Sequence, residues 1–240
     1  MTTLLAQVPS MASAADPGRW TYRQPRLDAL AEIGTVSGCQ VALPPHFHDE
    51  DQWVHVLAGR RRFVIGGVVH EVGRGQWFCI PAGTLHGSLA EAGGVACINL
   101  YLVADAYAPA ELHRYLEEAG SPMSPGREAG GRRAADAGRW AMGARIAPPI
   151  PGLDPLGTVE AMARSAGLSR EHFSRMFRKR HGLAPEHYRL LLRLTHARRY
   201  LRDGLPIAVV AAEAGFADQS HLGRTFKRFF GVTPGRYRQD

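Results

Sequence analysis

The chain has little cysteine: three in 240 residues, Cys39, Cys79 and Cys97, an odd number with no CxxC pair. That argues against a disulfide framework and fits a reducing compartment. Long apolar runs are missing too, so no segment reads as a membrane span. The first residues, MTTLLAQVPSMASAAD, hold no basic n-region, and their longest apolar run (Leu4 to Ala6) is too short for a signal-peptide core. Acidic charge is scarce at one end only. Residues 153–240 carry 16 Lys and Arg against 8 Asp and Glu, whereas residues 1–152 carry 13 against 14. The net charge of +7 therefore belongs to the last third, an asymmetry suited to a polyanion. A merely solvated basic face is the bland alternative. All of these 16 cations except Lys179 and Lys227 are Arg, whose planar fork matches phosphate and guanine, so nucleic acid is favoured. The expectation at this point is a soluble, intracellular protein.

What is present divides into parts. The length suffices for two domains of ordinary size. Residues 1 to about 25 show no clear period. From about 27 to 104, short apolar runs are broken by Gly, Pro and Asp, and Gln52–Leu57, Arg62–Ile65, Val68–Val72, Gln76–Ile80 and Val95–Val103 read as strands. Gly66-Gly67 signals a tight hairpin. Many short strands predict a sandwich or barrel. Leu112, Tyr115, Leu116 and Ala119 then recur at helical spacing, predicting a helix over 110–119 that Gly120 stops. Residues 120–152 read as a linker, with helical character around Ala134–Ile146 and with Pro148, Pro149 and Pro151 near its end. The predicted domains are 1–119, a 120–152 linker, and 153–240.

From Leu156 onward the period is helical and an internal repeat appears. His172-Phe173-Ser174-Arg175-Met176-Phe177 recurs as His221-Leu222-Gly223-Arg224-Thr225-Phe226, and Gly182, Pro185 and Tyr188-Arg189 recur as Gly231, Pro234 and Tyr237-Arg238, each 49 residues on. In the first copy a helix over about Thr158–Ser165 reaches a turn at Ala166-Gly167-Leu168, and Ser169 caps a second helix from Arg170 to Arg180. Glu171, Ser174, Arg175 and Arg178 share its outward face; Phe173, Met176 and Phe177 are expected inward. In the second copy Glu213-Ala214-Gly215-Phe216 makes the turn and Asp218 the cap. Ser220, Gly223, Arg224 and Lys227 face outward, with Leu222 and Phe226 inward. Helices that show small polar groups and an Arg suit a major groove. Between the copies a long helix is predicted over His187–Asp203, with Leu190, Leu191, Leu194, Ala197 and Leu201 inward and Gly204 as its stop. Such a spacer can hold two reading helices about one DNA turn, ~34 Å, apart.

Residues 156–238 resemble the DNA-binding domain of AraC/XylS-type regulators, through Arg175-Met176-Phe177, Gly182, Tyr188, Ile207, Ala211, Gly215-Phe216, Arg224, Phe226-Lys227, Gly231, Thr233-Pro234 and Tyr237-Arg238. The resemblance implies a double helix-turn-helix fold, promoter DNA as partner, and activation through RNA polymerase. It places Glu171, Ser174 and Arg175 in the first helix, and Gln219, Ser220, Gly223 and Arg224 in the second, at base-contacting positions; Arg170, Arg178 and Lys227 join them as candidate DNA contacts. Leu222-Gly223 departs from the aromatic and Ser or Thr usual there. The Pro-rich stretch before Leu156 stands where the family has a first helix.

A second constellation is His46-Phe47-His48 with Gln52 and Gly59, then Gly75-x5-Pro81-x-Gly83-x2-His86. It resembles the two motifs of the cupin barrel in AraC-type effector domains, with Ala90 in place of the final Asn and Gln52 in place of the metal-binding Glu. His46 and His48, two apart on a strand, would point to one side, with His86 from a neighbouring strand. Three imidazoles can hold Zn, Fe, Mn or Ni, or can hydrogen-bond an effector or one another with no cofactor. Trp53, His55 and Trp77 are candidate pocket walls, against the plainer reading as core.

The fold expected is thus an all-β cupin-like barrel followed by an all-α domain of two helix-turn-helix units joined by a long helix. The leading function is a non-enzymatic, effector-responsive transcription regulator, with no catalytic residues. Leu112, Leu116 and Ala119 offer a homodimer seam. The competing readings are a cupin dioxygenase or isomerase with an attached DNA-binding domain, and an architectural DNA binder with an inert barrel.

Overall fold

A computed structural model describes residues 17–25, 29–103 and 156–239. The expected helix over 110–119 with its Leu112, Leu116 and Ala119 seam, the 120–152 linker and Pro151 all lie outside the described residues. So does the stretch just before Leu156, where the family has its first helix. The chain divides into two compact units, residues 1–145 and 146–239.

The first unit is an antiparallel β half-barrel. Its strands are β1 (Arg19–Arg23), β2 (Leu30–Gly38), β3 (Leu43–His46), β4 (Glu50–Ile65), β5 (Val68–Gly73), β6 (Trp77–Ile80), β7 (His86–Ser88) and β8 (Val95–Val103). The order is β1-β2-β8-β4-β7-β3, with β5 and β6 also paired to β4. β1 lies within residues 1 to about 25, where the sequence shows no clear period. Trp20 and Tyr22 alternate inward and pair opposite Val36 and Gly34, a period-2 signal only five residues long.

β4 is one bent strand where two were predicted. A bulge between Val56 and Ala58 slips its register against β8. Gly59 follows at φ +70°, where a Cβ would collide with the Gly94 carbonyl oxygen. The bulge switches the phase of the pleat. Glu50, Gln52, Val54 and Val56 are buried before it, Arg61, Phe63 and Ile65 after it. Even positions thus face inward on one side of the bend and odd positions on the other, so no single alternation spans the strand. Gly66-Gly67, both at positive φ, turns β4 into β5 as expected.

The second unit has six helices among the described residues: α1 (Val159–Ser165), α2 (Arg170–His181), α3 (Pro185–Arg202), α4 (Ile207–Glu213), α5 (Gln219–Phe230) and α6 (Pro234–Gln239). Ser169 Oγ accepts from His172 N at 3.3 Å and Asp218 Oδ1 from His221 N at 2.7 Å, so both predicted caps form. Gly182 and Gly231 end α2 and α5 in the left-handed region. The long helix α3 buries Leu191, Leu194, Ala197 and Leu201 as predicted, and Leu192 besides, while Leu190 is half-buried.

The repeat extends to contacts. Phe177 meets Tyr188 edge-on at 5.4 Å, and Phe226 meets Tyr237 at 5.2 Å, the same pair 49 residues later. The turns match as well: Leu168 N donates to Ala163 O and Phe216 N to Ala211 O, but at an offset of 48. The second turn is therefore one residue longer, with Ala217 inserted before its cap. His187 against Phe229 at 6.0 Å, and Arg198 Nε donating to Tyr237 Oη at 3.2 Å, tie α3 to the second copy.

Candidate functional site: a helical nucleic-acid interface and a barrel interior

On α2, Glu171, Arg175 and Arg178 are exposed and Ser174 half-buried; on α5, Gln219, Ser220, Arg224 and Lys227 are exposed and Gly223 half-buried. Each set lies opposite an apolar stripe, Phe177 in α2 and Leu222, Phe226, Phe229 and Phe230 in α5. Arg170, a candidate DNA contact, is exposed and also makes ion pairs within the unit. Its Nε lies 3.0 Å from Glu160 Oε1 and its Nη2 3.3 Å from Glu186 Oε1, so it links α1, α2 and α3. Met176 corrects an expectation, being 49% exposed rather than inward. At 100° per residue the buried stripe centres on Phe173, Phe177 and His181, and Met176 falls beyond its edge.

In the half-barrel, β3 and β7 pair His46 directly with His86. His48 sits in the connection after β3, not on the strand as expected, yet its ring joins the group. Ring centroids are 4.5 Å apart for His46 and His86, 5.1 Å for His48 and His86, and 6.2 Å for His46 and His48. Each Nδ1 faces a backbone carbonyl: Pro44 at 2.9 Å, Glu50 at 2.7 Å and Thr84 at 2.9 Å, for His46, His48 and His86 respectively. Carbonyls only accept, so Nδ1 of each ring carries a hydrogen.

Gln52, buried on β4, lies 3.0 Å through Oε1 from His48 Nε2, and its Nε2 donates to Asn99 Oδ1 at 2.9 Å. Metal-binding histidines use the same Nδ1–H to carbonyl support. Here, however, His48 Nε2 is engaged by Gln52. Among the described residues no group of three or more His, Cys, Asp or Glu is arranged to hold a metal ion. The cluster offers imidazole nitrogens and an amide as hydrogen-bonding groups.

Trp53, His55 and Trp77 are not walls of this interior. The register pairs Gln52 with Ile80, Trp53 with Cys79, Val54 with Phe78 and His55 with Trp77. Since successive side chains take opposite faces, Trp53, His55 and Trp77 lie on the face away from Gln52. There His55 stacks on Trp77 at 4.4 Å, and burial lowers its pKa, with a backbone hydrogen bond to Gln76 opposing. The inward aromatics are Tyr101, 5.2 Å from His48, and Phe63, 6.4 Å from His86. Asn99 and Tyr101 alternate along β8, a signal that could have found them; Phe63 and Arg61 were hidden by the bulge.

Residues 162–240 match the family described as "Helix-turn-helix domain" and residues 36–98 the family described as "Cupin domain". The chain thus carries a cupin domain ahead of a helix-turn-helix domain. The RCS-specific HTH-type transcriptional activator RclR of Escherichia coli (strain K12) is 40% identical over 83 residues, 34% of this chain and 29% of that protein. The HTH-type transcriptional regulator GlxA of Rhizobium meliloti is 41% identical over 80 residues, 33% of this chain and 25% of that protein. The chain thus spans under a third of these relatives' length. Wild-type ToxT of Vibrio cholerae shares the fold, with a TM-score of 0.51 at 10% identity, over 95% of this chain and 97% of that one. No described helix is long and apolar enough to cross a membrane.

Proposed function

We propose that this chain is a sequence-specific AraC-type transcription regulator that inserts α2 and α5 into successive major grooves of promoter DNA. The observation that carries this is the repeated, capped helix-turn-helix. Its outward faces present Arg175 and Arg224 among short polar groups, in the part of the chain that holds the positive charge. Arg175 and Arg224 each pair with guanine, and Arg178 and Lys227 meet phosphate. RNA polymerase is the partner through which it activates. The half-barrel is an effector sensor: a small molecule held by His46, His48, Gln52 and His86 biases the chain between states of different DNA affinity.

The test is selection of genomic fragments by the purified chain near physiological salt, followed by sequencing. Recovery of a few promoters sharing two short elements about one helical turn apart is expected. Uniform recovery, with and without a cell-metabolite extract, would leave only a basic anchor.

A further inference from the structure

The interior of the half-barrel holds a positive charge that its neighbours do not balance. Arg61 follows the β4 bulge on the face shared with Phe63 and Ile65, and it is 3% exposed. Its Nη2 donates to Val41 O and to Ser88 Oγ, each at 2.8 Å, and its Nη1 to Leu89 O at 3.4 Å. All three acceptors are neutral. They satisfy hydrogens without compensating the charge, and a buried cation left so is costly. Glu91 is the acid that acts on Arg61 electrostatically, but it is committed elsewhere. It accepts from Arg62 N at 2.9 Å and Arg62 Nε at 3.2 Å, and lies 3.6 Å from Arg60 Nε.

Arg61 and the histidines share one interior. The Arg61 guanidinium lies 5.5 Å from the Phe63 ring, whose centroid is 6.4 Å from that of His86. Tyr101, which meets the His48 ring, is also within electrostatic reach of Arg61, as are Tyr22 and Cys97. A cation thus stands beyond aromatic walls from a cluster of imidazole and amide groups.

We propose that the barrel recognises an anionic effector, a small organic carboxylate whose charge pairs with Arg61 while its body lies along Phe63 and Tyr101. A polar group at its far end meets the imidazoles. Guanidinium and carboxylate match as a two-pronged, charge-assisted pair, and this pairing supplies the charge that Val41, Ser88 and Leu89 do not. The proposal rests on the sensor reading of the barrel.

Calorimetric titration of the full chain, at constant ionic strength and pH 7.5, tests it with acetate, hexanoate, benzoate and 4-hydroxybenzoate. Each is compared with its primary amide. At least one carboxylate binds saturably, with its amide weaker by about tenfold or more. Arg61→Met removes that preference and Arg61→Lys keeps part of it. Equal binding of acid and amide, no binding by any of the four acids, or a preference that survives Arg61→Met would overturn the proposal. Should Arg61→Met not fold, the acid–amide comparison on the unaltered chain and the Arg61→Lys variant still decide. An amide that binds and alters promoter affinity would sink the anion site and keep the sensor. A carboxylate bound through Arg61 that leaves promoter affinity unchanged would do the reverse.

Discussion

Gly223 occupies the middle of α5, on its outward face, where an added Cβ would meet nothing within 4 Å. A helix-interior glycine is about 1 kcal/mol less favourable than alanine, so stability is given up at a position that packing does not require to be empty. Gly223→Ala should raise the urea midpoint of the helical unit by an amount equivalent to about 1 kcal/mol. If the same variant binds its promoter more weakly, the gap serves close approach to DNA; unchanged affinity would make it a neutral departure. Arg175 and Arg224 carry a different expectation. Each Arg→Ala change should weaken binding to the selected promoter by about 1–3 kcal/mol and binding to random DNA much less, as measured by fluorescence anisotropy. Equal losses on both DNAs would reassign these two residues to phosphate. At this scale the sequence was most legible where local chemistry acts alone. Ser169 and Asp218 were readable as caps because a short oxygen beside a helix start has one evident use. The ion pairs of Arg170 were not, because its partners Glu160 and Glu186 stand 10 and 16 residues away.

Among the elements, the helices were readable and the bent strand was not. Apolar positions at 3.6-residue spacing with capping residues locate α1, α2 and α3 within a residue or two, and Asp218 marks the start of α5. The half-barrel fails this treatment at β4, where the bulge exchanges inward and outward positions within one strand. That slip explains why Arg61 and Phe63 are hidden in the pattern; Trp53 and His55 precede it, and plain alternation already sets them on the face away from Gln52. The cap of α5 offers a test of how far the second reading helix depends on local chemistry. Asp218→Ala removes the acceptor 2.7 Å from His221 N and should destabilise the unit by about 1 kcal/mol. Asp218→Asn should recover most of it. If both variants melt as the parent does, α5 is held by its Leu222, Phe226, Phe229 and Phe230 stripe alone.

Across the whole molecule, buried and half-buried histidines give each unit an acid sensitivity. His55 and His70 in the half-barrel, and His181 and His187 in the helical unit, all have pKa values lowered, with burial the largest cause. Arg180 and Arg228 add repulsion at His181 and His187. Groups that bind protons less readily when folded draw protons toward the unfolded chain. Their contribution is complete above the ordinary imidazole value of 6.5 and is lost as pH falls below it. Melting temperature should therefore hold from pH 8 to about 7 and decline from about 6.5 toward 5.5, measured by scanning calorimetry at fixed ionic strength. His187 isolates one share of the decline. Its Nε2 is buried with no hydrogen-bond partner, and its ring faces Phe229 from one side while Arg228 repels its charged form. His187→Phe keeps a ring against Phe229 and removes the titration, so the variant should gain on the parent at pH 5.5 more than at pH 7.5. A constant difference between the two across that range would show that His187 binds its proton equally well in the folded and unfolded chain, and the acid loss would then fall to His55, His70 and His181.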